Sequence, residues 1–131
     1  MDHDTLVKTL QSEGNLKYSF SGNEIEALCH WMTIETFKQA DNLMSKGTPA
    51  DSLVFILSGL AQSLDDDRQI ALHNKGDYAG DSLFSDISVH QVNVQALENS
   101  ITARLSCHDF HEFLQDDQTL ALKFQEFFKT I

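Results

Sequence analysis

Residues 76–96, GDYAGDSLFSDISVHQVNVQA, hold the densest set of groups able to do chemistry on something other than the chain itself. Gly76 and Gly80 stand four residues apart, Asp81, Ser82 and Ser85 follow, and Val89, Val92, Val94 and Ala96 close the stretch as a strand. A Gly-Asp turn, exposed amides and a strand in that order make a small anion-binding cradle, because successive backbone N–H groups converge on one point. Elsewhere the candidates thin out. His108 and His111 have the spacing of a shared metal, but no third ligand lies near them in sequence, and exposed helix histidines are the preferred assignment. Asp65, Asp66 and Asp67 lack the alternating ligands and the later Glu of a calcium loop, so they read as a solvated turn. His30, His73, His90 and the serines form no nucleophile elbow, nucleophile and base spacing or metal cluster, and no enzyme activity is expected.

The scaffold that must hold the cradle has 131 residues, which points to a single domain able to bury a core without disulfides or metal. A hydrophobic fraction of 41% with nine Phe and one Pro is a globular composition, and no window has the unbroken apolar length of a membrane helix or signal peptide. A cytoplasmic protein is expected, with Cys29 and Cys107 as reduced core thiols rather than a disulfide or metal pair. Twenty acidic against nine basic residues give a net charge of −11. Such a surface repels phosphate backbones and anionic lipid, so neither direct nucleic-acid binding nor membrane binding is expected.

The elements follow from periodicity and punctuation. Leu6, Val7 and Leu10 place an amphipathic helix over residues 4–12, before the Gly14-Asn15 break. Ser21 and Glu24 form a capping box, and Ile25, Leu28 and Met32 then make one apolar stripe beside the core thiol Cys29. After Thr33 the period becomes that of strands, predicted at 36–39, 42–45, 53–57, 60–64, 69–73, 89–95 and 101–105. Residues 46–51 and Ser58-Gly59 are turns, and the three aspartates tip a hairpin. From Cys107 the pattern is helical again: Phe110, Phe113 and Leu114 on one helix, then Leu120, Phe124, Phe127, Phe128 and Ile131 on a second that starts near Asp117. The fold class is mainly β with flanking helices, with N-terminal helices in 1–33, a β roll in 34–106 and two C-terminal helices in 107–131.

In this order the chain resembles the cyclic-nucleotide-binding domain of the catabolite-activator and FNR type, a double-stranded β-helix or jelly-roll-like β roll. Lys46-Gly47-Thr48-Pro49-Ala50-Asp51-Ser52-Leu53 followed by Ile56-Leu57-Ser58-Gly59 is similar to the family's G-x-P-A-D-S-L-Y-x-I-L-x-G string. Gly76-Asp77-Tyr78-Ala79-Gly80-Asp81 resembles its G-D-x-F-G-E turn, and His90 to Ala96 falls where it has R-[ST]-A-x-V-x-A. The resemblance implies a ligand site at Gly80, Asp81, the amides around Ser82 and Leu83, His90 and Gln91. In that family the carboxylate holds the ribose 2′-hydroxyl, while the amides, the Arg and the following hydroxyl hold the cyclic phosphate. Here Asp81 is one methylene shorter than the family's Glu, and His90 replaces an always-charged bidentate fork with an imidazole mostly neutral at pH 7. The only arginines, Arg68 and Arg104, fall elsewhere and are expected to have surface roles.

What this implies is a regulatory ligand-sensing module whose pocket has diverged, so that ordinary cAMP binding is weak or lost. No cofactor is assigned; the candidate ligands are a cyclic nucleotide or another small anionic ligand, and occupancy is passed to the closing helices. In the resembled family a DNA-reading helix-turn-helix follows the last helix, so the output is expected from another chain or from sequence beyond residue 131. The alternative is a ligand-free interaction module that homodimerises through the C-terminal helix, whose aromatics exceed one narrow stripe.

Overall fold

The structure is a computed structural model and describes residues 1–80 and 89–129. Three helices lead, α1 (His3–Ser12), α2 (Leu16–Ser19) and α3 (Gly22–Cys29). The capping box is formed: Ser21 Oγ accepts the Glu24 amide at 3.2 Å, and the Glu24 carboxylate accepts the Ser21 amide at 2.9 Å. Two otherwise unpaired helix-start donors are thereby satisfied. Because α3 stops at Cys29, Met32 leaves the helical stripe and packs on the core from the turn beyond. Burial, with Glu26 nearby, pushes the Cys29 thiol up to about 12, as befits a core thiol. Cys107 is only half-buried.

Eight strands follow among the described residues: β1 (Thr33–Phe37), β2 (Asn42–Met44), β3 (Ser52–Ser58), β4 (Ala61–Asp65), β5 (Arg68–His73), β6 (Tyr78–Ala79), β7 (Asn93–Ala96) and β8 (Ser100–Ser106). Seven strands are visible in the sequence pattern; the two-residue β6 is the addition. The strand expected over 89–95 is shorter, and Val89 makes only an isolated bridge to Pro49. Two antiparallel four-stranded sheets result, in the orders β1-β8-β3-β6 and β2-β7-β4-β5. With helices at both ends of the chain, this is the β roll that the sequence implies.

β3 decides how the layers stack. Its run Leu53-Val54-Phe55-Ile56-Leu57 is fully buried on both faces, so it does not alternate as a half-exposed strand would. Leu53, Phe55 and Leu57 belong to the larger core with the helices, whereas Val54 and Ile56 belong to a second core with Met44, Ala61, Val94 and Ala96. The first sheet is therefore a middle layer with helices on one face and the second sheet on the other.

The chain closes with α4 (Cys107–Asp116) and α5 (Gln118–Lys129). Ser106 caps α4 by accepting the Asp109 amide at 3.0 Å, and Asp117 Oδ1 accepts the Leu120 amide at 3.1 Å to start α5. Phe124 is fully buried, stacked on Phe20 with ring centroids 3.9 Å apart, and Phe128 is 1% exposed against Phe55 and Tyr78. Lys123 Nζ meets the Glu24 carboxylate at 2.9 Å and sits 5.0 Å above the Phe20 ring, which ties α5 to α3. The surplus of aromatics on this helix is thus taken up by the protein's own core, and Ile131 lies outside the described residues. Phe124→Ala should lower stability by about 3–5 kcal/mol in urea unfolding. A loss well below about 1 kcal/mol would show that α5 does not complete the core.

Candidate functional site

A cavity of about 400 Å³ is walled by both sheets and touched by both helical groups, a size in the range of small-molecule sites, roughly 300–1,000 Å³. Its apolar wall is Met44 of β2, Leu72 of β5, Ala79 of β6, Val94 of β7 and Val92 just before it, with Leu16 from α2 and Phe127 from α5 at the margin. The residues with polar side chains on it are Asn15, Ser63, His73, Asp77, Tyr78, His90 and Gln91, with the backbone at Gly76 and Gly80.

Turn chemistry puts these groups there. Gly76 has φ +89°, and a Cβ on it would lie 2.5 Å from the Glu13 carbonyl carbon and the Gly14 nitrogen, so the turn before β6 presses on the turn after α1. Asp77 accepts the Asn74 amide at 2.7 Å within the same turn, and Ile56 of β3 exchanges backbone hydrogen bonds with Asp77 and Gly76 at 2.9 and 2.7 Å. Gly80 has φ +93°, and a Cβ there would lie 2.6 Å from both Met44 Cε and the Ser52 carbonyl oxygen. No other residue fits either position without moving backbone.

His90 is held by the turn of the 46–59 string. Its amide donates to the Thr48 carbonyl at 2.8 Å, and its carbonyl accepts the Gly47 amide at 2.9 Å. Only 7% of the residue is exposed. Burial pushes the imidazole below its ordinary value of 6.5, against a raising influence from Asp51 and with a further lowering one from Arg104. Gln91 is exposed, and its side-chain amide donates to the Val89 carbonyl at 3.2 Å. Gly80, His90 and Gln91 line one cavity, while Asp81, Ser82 and Leu83 lie outside the described residues.

Arg104 has no surface role of the kind expected. It is paired in register with Thr33 and Val54 in mid-sheet, its Nε bonded to Glu35 and its Nη1 donating to Ser52 Oγ at 2.6 Å. Arg68 stands exposed at the start of β5. Neither arginine lines the cavity, and no lysine does among the described residues.

Ser63 and His73 are the site residues that sequence reasoning missed. Ser63 Oγ lies 2.7 Å from His73 Nε2, in the wall of the cavity. Burial pushes His73 below 6.5 as well, with Asp77 pulling the other way. The findable signal was Ser63 at an inward position of an alternating strand, two residues from Ala61.

A cavity between two sheets, shaped by positive-φ glycines and touched by the terminal helices, marks the class as an antiparallel β roll with flanking helices. The cyclic nucleotide-binding domain family matches residues 34–117, well over half of the chain, and the protein belongs to that family. No curated protein sequence matches it. Among solved structures it is similar to a cyclic nucleotide-binding domain from Methylobacillus flagellatus, with 23% identity, 93% of this chain and 71% of that one covered and a TM-score of 0.77. The sensor domain of the transcriptional regulator DNR from Pseudomonas aeruginosa shows 20% identity, 95% and 91% coverage and a TM-score of 0.69. The regulatory subunit of a cAMP-independent protein kinase A from Trypanosoma cruzi, bound to guanosine, shows 19% identity over 86% of this chain and 42% of that one, with a TM-score of 0.71. At these identities the structural likeness speaks for the fold. Among the described residues no helix is long and apolar enough to cross a membrane.

Two imidazoles held below 6.5 make stability depend on acidity with a definite sign. Their contribution is complete above the ordinary histidine value and is lost as pH falls from there through the lowered folded values, because the unfolded state then binds more protons. The denaturation midpoint should drop between about pH 7.5 and 5, and His73→Leu should flatten that drop. An identical pH slope in the variant would remove His73 from the set.

Proposed function

We propose that this domain is a regulatory ligand-sensing module whose cavity has lost the fixed cation that holds a cyclic phosphate, so that it binds cAMP weakly or not at all. The observation that carries it is His90, buried and biased toward the neutral form at the position where the resembled pattern has an arginine. No lysine or arginine lines the described wall, and residues 81–88 contribute two aspartates and no cation in sequence. A charge-assisted phosphate contact contributes roughly 1.5–3 kcal/mol, so without one affinity falls about ten- to a hundredfold. The guanosine-bound, cAMP-independent relative supports the same direction: this fold can host a purine ligand that carries no phosphate.

Residues 1–131 act as one module, and the free thiols suit the cytoplasm. Occupancy reaches α5 through two cavity residues. Phe127 belongs to that helix, and Tyr78 stacks edge-on against Phe128 at 5.2 Å.

Calorimetric titration at neutral pH should give no binding of cAMP or cGMP, or a Kd weaker than about 10 µM, and His90→Arg should tighten cAMP at least about tenfold. Nanomolar binding by the parent, or no gain in the arginine variant, would sink the proposal.

A further inference from the structure

The β4–β5 hairpin contains an exchange that packing alone does not favour. Its turn residues Asp66 and Asp67 have φ of 49° and 66°, the left-handed pair of a two-residue hairpin turn, and next to them Asp65 pairs with Arg68 and Leu64 with Gln69. Continued regularly, that register sets Ser63 opposite Ile70 and Ala61 opposite Leu72. Instead the register slips by one residue between Ser63 and Leu64, and Ser63 faces Ala71 while Ala61 faces His73.

Opposed residues share a face of the sheet, so this bulge turns His73 onto the face that Ala61 and Ser63 bury. Ile70 and Leu72 are left 50% and 49% exposed. Two large aliphatic side chains are left half-exposed, Ile70 outside the cavity and Leu72 at its margin, while an imidazole is turned inward beside a hydroxyl. A neutral hydrogen-bonded pair in such a layer contributes little beyond what aliphatic groups of the same shape would. Local rules broken without a packing return are expected where a ligand uses the groups.

We propose that the Ser63–His73 pair is a recognition point for an uncharged heteroaromatic ligand with a hydrogen-bonding edge, of the purine nucleoside class. Ser63, with one bond to His73, keeps further hydrogen-bonding capacity at the cavity wall. A purine edge presents adjacent donors and acceptors to such a hydroxyl and imidazole, while Met44 and Val94 meet the ring faces. Nucleosides lack phosphate charge, which suits a wall whose one described carboxylate is Asp77 and which holds no fixed cation among the described residues. This rests on the neutral cavity proposed above and adds the group that selects the ligand.

The test is calorimetry of the whole chain with guanosine, adenosine and cAMP, for the parent, Ser63→Ala and the double variant Ser63→Val, His73→Leu. At least one nucleoside should bind the parent, each variant should weaken it about tenfold or more, and the double variant should keep or raise its thermal midpoint. Loss of nucleoside affinity at an unlowered midpoint separates recognition by the pair from a loss of folded protein. Absence of binding by both nucleosides at about 1 mM, or unchanged affinity in both variants, overturns the inference. Tighter binding of cAMP than of either nucleoside overturns the neutral-cavity reading and the nucleoside class with it. In that case, loss of cAMP affinity in Ser63→Ala would still tie the pair to the site.

Discussion

A strand with no face for water governs this fold. β3 buries five consecutive large apolar side chains, three toward the helices and two toward the second sheet, and each set needs its own cover. At about 25 cal/mol per Å² of apolar surface removed from water, leaving either face open would cost more than most single contacts in the protein return. The helices at the two ends of the chain therefore have to converge on one side of β3, which is why α5 packs against Phe20 and is tied to α3, a hundred residues back in sequence. The inner face is covered less completely. Met44, Val94 and Ala79 belong both to the smaller core and to the cavity wall, so a ligand there would extend an apolar layer that the protein itself leaves unfinished.

The parts legible in the sequence are those fixed by neighbours along the chain. The Ser21–Glu24 box, the Ser58-Gly59 break, the aspartate-tipped hairpin and the two closing helices each rest on interactions within a few residues, and each is found as read. The parts that were not legible depend on partners far away. Arg104 finds Glu35 across sixty-nine positions, and nothing near either residue announces it. β6 is two residues long and owes its existence to β3 rather than to any period of its own. The inward turn of His73 depends on a bulge, and since strand faces alternate, one inserted residue reverses the assignment of everything beyond it. The candidate site divides in the same way: Gly80, His90 and Gln91 came from a local string, Ser63 and His73 from register.

Charge is arranged differently in the cavity and over the chain as a whole. The protein carries −11 net, and the arginine nearest the site in influence, Arg104, is committed to Glu35 and Ser52. Its effect on His90 is to disfavour the imidazolium, in the same sense as burial; Asp51 opposes both without forming a bond that would fix the charge. An imidazole under these pressures is a hydrogen-bonding group rather than a cation at neutral pH, and His73 is biased the same way. Two such groups can orient a ligand through shape and hydrogen bonds. They do not attract it from a distance, and they do not favour a charged one over its neutral analogue.

The same geometry says where occupancy would be felt. Tyr78 and Phe127 face the cavity, Phe55 lies behind Tyr78 at 5.5 Å, and Phe128 packs on both Tyr78 and Phe55 from α5. A ring pair of this kind has few ways to rearrange at native packing density, so a shift of Tyr78 toward or away from a ligand must be met by Phe128 or by β3. β3 is paired with β8 along its length and with β6 at Val54 and Phe55, and is the stiffer of the two. α5 has no sheet to lock it; aromatic packing, its short link to α4 and the half-exposed Lys123–Glu24 pair hold it in place. An exposed ion pair of that sort contributes on the order of 1 kcal/mol or less, little enough for a ligand's differential affinity to outweigh. The final helix is therefore the element that a change at Tyr78 or Phe127 would reach first, in keeping with the route proposed for occupancy.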